Sequence, residues 1–145
     1  MKKFLNVLKQ VALYVWQLPQ NIIGLIVIFL YKPTYKHIMD NGVEIHYSNS
    51  MSGGISLGKY SVVHTYHYKK DINESLERDT VKHEAVGHTR QSRMLGPLYL
   101  IVIGLPSIIW AGLYGSVVPI TYNGYYRFYT ERWADKLAGI KRYGI

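Results

Sequence analysis

"VKHEAVGHTRQ", residues 81–91, holds the residues on which the reading of the whole chain turns. His83 and His88 stand five apart, with Glu84 beside the first. On a regular helix each residue turns about 100°, so side chains four apart differ by about 40° and side chains five apart by about 140°. The two imidazoles therefore reach one metal ion only if the helix takes in an extra residue. A single-turn π-bulge does this, and such bulges recur at functional sites. Gly87 is the expected place for the distortion, because glycine tolerates unusual backbone angles.

Two histidines do not complete a site, and the chain has no cysteine, so further ligands must come from His, Asp or Glu. A catalytic zinc ion usually has three protein ligands and one open position. The stretch "TERWADKLAG", residues 130–139, reads as a helix with Glu131 and Asp135 four apart on one face. Glu131 can supply the third ligand. Asp135 can accept a hydrogen bond from the far nitrogen of a ligating histidine, which fixes ring orientation.

The net charge of +8 admits nucleic acid or an anionic membrane as partner. The basic residues are scattered and form no recognisable nucleic-acid module, so nucleic acid is not expected. Fourteen tyrosines and three tryptophans favour a lipid bilayer, whose interfaces are enriched in such rings. Residues 1–31 begin basic and turn apolar, but polar residues interrupt them and no small-residue cleavage site follows, which argues against a signal peptide. They read as an amphipathic helix with Phe4, Leu8, Val11, Val15 and Leu18 near one face. A kink at Pro19 and a membrane-inserted helix then follow.

Residues 32–145 read as a single domain. The alternation in "KYSVVHTYHY", residues 59–68, predicts a strand, "NSMSGGISLG" before it supplies turn chemistry, and "IHY" at 45–47 offers a short partner. A small antiparallel sheet is expected. Asp71 and Gly96-Pro97 bracket one long helix over 71–95. Residues 97–120 carry no charge, and "GLPS" at 104–107 divides them. One last helix runs from Tyr125 to Ala138 and stops at Gly139. The fold class is thus α+β, mainly helical, with a membrane-inserted N-terminal helix and an apolar hairpin.

The combination H-E-x-x-G-H on one helix and E-x-x-A-D on a later one resembles the gluzincin metalloproteases, above all the membrane-embedded heat-shock and CAAX-prenyl-protease type. In that family a hydrophobic hairpin separates the motif helices, as residues 97–120 do here. The hexapeptide spacing is similar to that of the dipeptidyl-peptidase III enzymes, which bind zinc through it. "HEAVGHTRQSRMLGPLYLIVIGLPS" with "YYRFYTERWADKLAG" is also similar to small bacterial membrane proteins that carry both motifs. The likeness covers roughly residues 53–140.

The resemblance implies a zincin-like core and a membrane-embedded zinc metallopeptidase. His83, His88 and Glu131 would hold Zn²⁺, with Asp135 behind a histidine and Glu84 as the general base. It also implies that the strand before the motif helix, Ser56, Leu57, Gly58, Lys59 and Tyr60 at its start, is an edge to which a peptide or membrane-protein substrate adds. Candidates for stabilising the oxyanion are Tyr122, Tyr125, Tyr126, Arg127, His64 and His67. A shared ion forbids residues 97–120 from crossing the membrane once, so a shallow re-entrant hairpin turning at "GLPS" is expected. The expected setting is a bacterial inner membrane with the catalytic face cytoplasmic. The residues leave two alternatives open, an inactive relative acting as a membrane-associated binding protein, and a membrane-surface structural protein in which the motif is accidental and no zinc is bound. Oligomeric state is not legible.

Overall fold

The structure, a computed structural model of the 145-residue chain, describes residues 1–114, 116 and 122–142. It is α+β and mainly helical, with one four-stranded sheet. Helices α1 (Lys2–Trp16) and α2 (Leu18–Tyr31) meet at Gln17 with a bend of 84°. Pro19 lies in the first turn of α2, where its missing N–H leaves no bond unmade. Strands β1 (Tyr35–Ile38), β2 (Glu44–Ser48), β3 (Gly54–Leu57) and β4 (Tyr60–His64) follow.

The sheet is mixed, which corrects the expected antiparallel arrangement. Its order is β1-β2-β4-β3, and β2 runs parallel to β4 while the two outer pairings are antiparallel. The expected continuous strand up to Tyr68 is divided. Gly58, at φ +66°, makes a two-residue turn with Lys59, and after His64 the chain enters a 3-10 turn, Thr65–His67. Tyr60 consequently sits in β4, inside the sheet, and the edge strand beside it is β3. Val43, Ile45, Tyr47 and Val63 pack with Val81 and Ala85 of the helical layer, and this core seats the motif helix against the sheet.

The expected long helix is a series of pieces. Asp71 caps α3 (Ile72–Leu76) by accepting from Asn73 N–H at 2.8 Å. α4 (Asp79–Lys82) passes into a π-turn, His83–His88, and then α5 (Thr89–Leu95). The apolar stretch bends by 120° at Tyr99, not at "GLPS". From there a second π-turn (Leu100–Gly104) runs straight into α6 (Leu105–Leu113), with Pro106 harmlessly in its first turn. The expected return after "GLPS" is instead the continuation of α6 as far as Leu113, and residues 115 and 117–121, at the end of the expected hairpin and just beyond it, lie outside the described residues. The final helix is also divided, into α7 (Tyr122–Tyr125) and α8 (Tyr129–Ala138), and Gly139 caps α8 in the left-handed conformation.

The burial of α2 is inverted relative to a helix of a water-surrounded core. Its buried residues are Gln20, Asn21 and Gly24, while Ile22, Ile23, Leu25, Ile26, Phe29 and Leu30 are exposed. The buried amides are anchors. Gln20 Nε2 donates to Gly96 O at 2.7 Å and to Ser92 Oγ at 3.1 Å. Asn21 Nδ2 donates to Tyr14 O, and its Oδ1 accepts from Lys59 N–H, both at 2.9 Å. Ser92 therefore serves the seating of α2. No single helix among the described residues is long and apolar enough to cross a membrane.

Candidate metal centre

The π-turn resolves the spacing of the two histidines. Its i→i+5 bonding, seen where Thr89 N–H donates to Glu84 O, stacks residues five apart one turn above another. The two buried rings stand edge to face with centroids 4.7 Å apart. Gly87 contributes otherwise than expected. It has no positive φ; instead a Cβ at this position would meet Ala134 O at 2.5 Å and Ala134 C at 2.8 Å. Gly87 is where the π-turn and α8 touch backbone to backbone.

That contact brings the two motifs together. Glu131 Oε2 lies 3.0 Å from His83 Nε2 and 3.4 Å from His88 Nε2. Behind His83, Nδ1 pairs with Asp135 Oδ1 at 2.7 Å, and Arg142 holds Asp135 through Nε to Oδ2 at 2.6 Å and Nη2 to Oδ1 at 3.0 Å. Behind His88, Nδ1 pairs with Gln91 Oε1 at 2.7 Å, and Gln91 Nε2 donates to Thr130 O at 2.9 Å. Because Gln91's nitrogen is committed to a carbonyl, its oxygen must accept, so His88 Nδ1 carries a proton. Asp135 requires the same of His83. Both Nε2 atoms are thereby turned toward Glu131 as potential ligands.

These residues fit a metal ion. Bonds of about 2.0–2.2 Å in tetrahedral geometry separate ligand atoms by roughly 3.3 Å, close to the spacings found here. Glu84 is the other acid of the cluster, with one oxygen and a nitrogen of each histidine all within 4.8 Å of one another. Glu131 is the better third ligand. Its Oε2 touches both Nε2 atoms, whereas Glu84 Oε2 accepts from Ser56 Oγ at 2.7 Å. Gly54 makes room for Glu84, since a Cβ there would meet its Cγ at 2.5 Å and Oε1 at 2.6 Å.

Without a cation the cluster holds a proton. Burial alone would lower the His83 pKa, but its hydrogen bonds to the Asp135 and Glu131 carboxylates outweigh this and raise the pKa to about 9. Burial would raise Glu131, yet hydrogen bonds to His83 and His88 hold it far below the usual carboxylate range. Asp135 is likewise lowered against its burial by His83 and Arg142. A metal ion taken up at pH 7 must therefore displace the His83 Nε2 proton. The expected result is release of about one proton per ion, with apparent affinity rising roughly tenfold per pH unit from pH 6 and flattening near 9. Calorimetric titration in buffers of different ionisation enthalpy checks this; affinity independent of pH over that range would contradict it.

A pocket of about 220 Å³ opens beside the cluster, between β3, the π-turn, α6 and α8. Glu84, His88 and Glu131 line it, together with Ser56 and Leu57 of the expected substrate strand. Gly58, Lys59 and Tyr60 do not. The bond from His64 N–H to Gly53 O sets the ladder's alternation, so Gly54 and Ser56 turn their outward backbone groups away from β4. Tyr99 Oη already donates to Ser56 O at 2.8 Å. On the far wall, Ser107 of α6 has a buried Oγ with no hydrogen-bond partner among the described residues.

The oxyanion candidates divide. Tyr125 lines the pocket, its pKa raised by burial and by the charges of Glu131 and Glu84. Tyr126 stands edge-on to the His83 ring at 5.2 Å, with Arg142 stacked 3.4 Å above its own ring. Arg127 lines a different groove. His64 Nδ1 accepts from Tyr66 N–H, and neither it nor His67 lines the pocket. The side chain of Tyr122 lies outside the described residues. From the sequence Gln91 admits packing, solvent or a supporting role, and its place three after His88 on a helix is the signal for the last. Sequence reasoning missed Gly54, whose partner Glu84 is distant in the chain, and Arg142, which reaches Asp135 from beyond the Gly139 cap. No protein-family model matches the chain, and no curated protein or solved structure matches it either.

Proposed function

We propose that the protein is a membrane-embedded zinc metallopeptidase of the gluzincin kind, with a zincin-like core built from the sheet and the two motif helices. The observation that carries this reading is the convergence of His83 Nε2, His88 Nε2 and Glu131 Oε2, each backed by its own hydrogen-bonded support. Zinc bound there would lower the pKa of its water to about 7 and polarise a substrate carbonyl. Glu84 is the general base: Ser56 holds Oε2, and Oε1, above Gly54, takes the proton and passes it to the departing amine. An extended peptide adds along β3 at Gly54 and the outward N–H of Ser56, the Ser56 carbonyl staying with Tyr99; addition to an edge strand is a mode by which sheets commonly bind chains. Tyr125, at the same pocket, is the phenolic group best placed to meet the developing oxyanion.

Membrane attachment is supported by the inverted burial of α2 and by the exposed apolar residues Leu98, Ile101, Leu105, Ile108 and Ile109 along the other apolar helix. Exposed apolar surface on this scale marks a contact face. α2 has 14 residues, about 21 Å, short of the roughly 30 Å hydrocarbon layer, so it enters the bilayer without crossing it. α1, amphipathic and with no buried residue, lies along the surface, and the 84° bend at Gln17 turns α2 inward. The catalytic face is cytoplasmic in this reading.

The test compares metal-loaded wild type with Glu84→Gln against an unfolded protein such as casein, in liposomes. Hydrolysis should fall by about 10²–10⁴ while metal content stays at the wild-type level. Absence of hydrolysis by the metal-loaded wild type would favour the non-catalytic binding protein instead.

A further inference from the structure

A second concavity, a groove of about 880 Å³, lies along the face of α8 away from the pocket that holds Glu84. Arg127, Arg132, Lys136, Lys141 and Arg142 line it, against a single acid, Asp135. That acid is already taken by His83 and Arg142. Arg132, Lys136 and Lys141 make no ion pair among the described residues, and all three are exposed. Arg132 and Lys136 are four apart on one helix face, where like charges repel; the C-terminal end of the helix dipole favours Lys136 in the last turn but offers nothing to Arg132 a turn earlier. The groove therefore concentrates positive charge at a cost, as a site for an anion would.

One wall tells which anion. Tyr129 Oη donates to Val102 O at 2.6 Å, and Trp133 packs against the cluster that includes Leu100 and Val27. The basic groove thus continues into the exposed apolar residues Ile101, Val102 and Leu105. A small inorganic anion would leave that strip bare. A molecule with a phosphate head and hydrocarbon tails would cover both parts. We propose that the groove binds the headgroup of an anionic phospholipid, with Arg132, Lys136 and Lys141 on the phosphate and the acyl chains along Ile101, Val102 and Leu105. The proposal rests on the membrane reading above and adds a specific lipid class to it.

The experiment is flotation of the full chain with vesicles of phosphatidylcholine alone and of phosphatidylcholine with about one-third phosphatidylglycerol. The paired variant Arg132→Gln/Lys136→Gln changes exposed residues only, and Lys69→Gln/Lys70→Gln is the control of equal charge. At about 1 kcal/mol for each basic residue near an anionic surface, the Arg132/Lys136 pair should weaken binding to the anionic vesicles roughly 30-fold. Binding to neutral vesicles should stay as in wild type, and the control should lose far less. Equal losses in both pairs would reduce the effect to net charge and overturn the proposal. So would undiminished binding by the Arg132/Lys136 pair, or displacement of the wild type from anionic vesicles by millimolar inorganic phosphate. Failure of the wild type to float with either vesicle would instead sink the membrane reading.

Discussion

Replacing Glu131 by alanine is expected to abolish stoichiometric zinc binding, although His83 and His88 remain in place. Glu131 Oε2 is the only oxygen seen within hydrogen-bond distance of both Nε2 atoms among the described residues. Its removal leaves two imidazoles on one turn, with Glu84, held by Ser56, as the remaining acid of the cluster. Asp135 cannot substitute, because Oδ1 is engaged on the opposite nitrogen of His83 and both its oxygens are held by Arg142. His88→Ala should behave alike. Asp135→Asn and Gln91→Leu keep all three ligands but release one ring each, and should weaken zinc by about 10–100-fold. Glu84→Gln should leave it nearly unchanged. Metal analysis of the purified variants beside a zinc titration would separate these grades. Full zinc content in Glu131→Ala would mean that Glu84, or a group beyond the described residues, completes the site.

The parts of this architecture that were legible in the sequence are those in which neighbours along the chain decide the outcome. Glu131 and Asp135 share a face because they are four apart on a helix, and the structure sets one toward the histidine Nε2 atoms and the other behind His83. The five-residue histidine spacing demanded a π-turn, and one is present. Pro19 marked the corner between α1 and α2, and Gly139 the end of α8. What stayed hidden depended on partners far along the chain. Alternation in residues 59–68 signals a strand but is silent on whether its neighbour runs parallel, so the β2–β4 pairing could not be read. Gly58-Lys59 was a two-residue turn in plain view, masked by the apolar and β-branched residues on either side. "GLPS" carried the strongest breaking signal in the apolar stretch, yet proline in a first helical turn breaks nothing. The bend falls at Tyr99, whose hydroxyl is bound to Ser56 O. The inverted burial of α2 was visible only as an odd run of amides, Gln17, Gln20 and Asn21. Their partners, Ser92, Gly96 and Lys59, lie on other elements.

Gly87 is the position at which a single methyl group should do the most damage. In an isolated helix, alanine in place of glycine would stabilise by about 1 kcal/mol. Here the new Cβ would stand 2.5 Å from Ala134 O and 2.8 Å from Ala134 C, closer than such atoms approach in folded proteins. Both obstacles are main-chain atoms of α8, so no side-chain rotation relieves them. The π-turn and α8 must separate, and α8 carries Glu131 and Asp135 away from the histidines. Overpacking of this kind costs about 1–3 kcal/mol, which outweighs the helix-propensity gain. The metal-free Gly87→Ala protein should melt several degrees below wild type, on the order of 3–10 °C. Its zinc affinity should fall more than tenfold, since each ångström of displacement spoils a ligand set spaced at 3.0 and 3.4 Å. Adding Ala134→Gly removes only the third obstacle, the Ala134 Cβ at 3.0 Å, and should not restore either property. Rescue by that second change would show that α8 seats by its side chains and not by its backbone. A Gly87→Ala protein with wild-type melting and zinc affinity would place α8 elsewhere altogether, and with it Glu131.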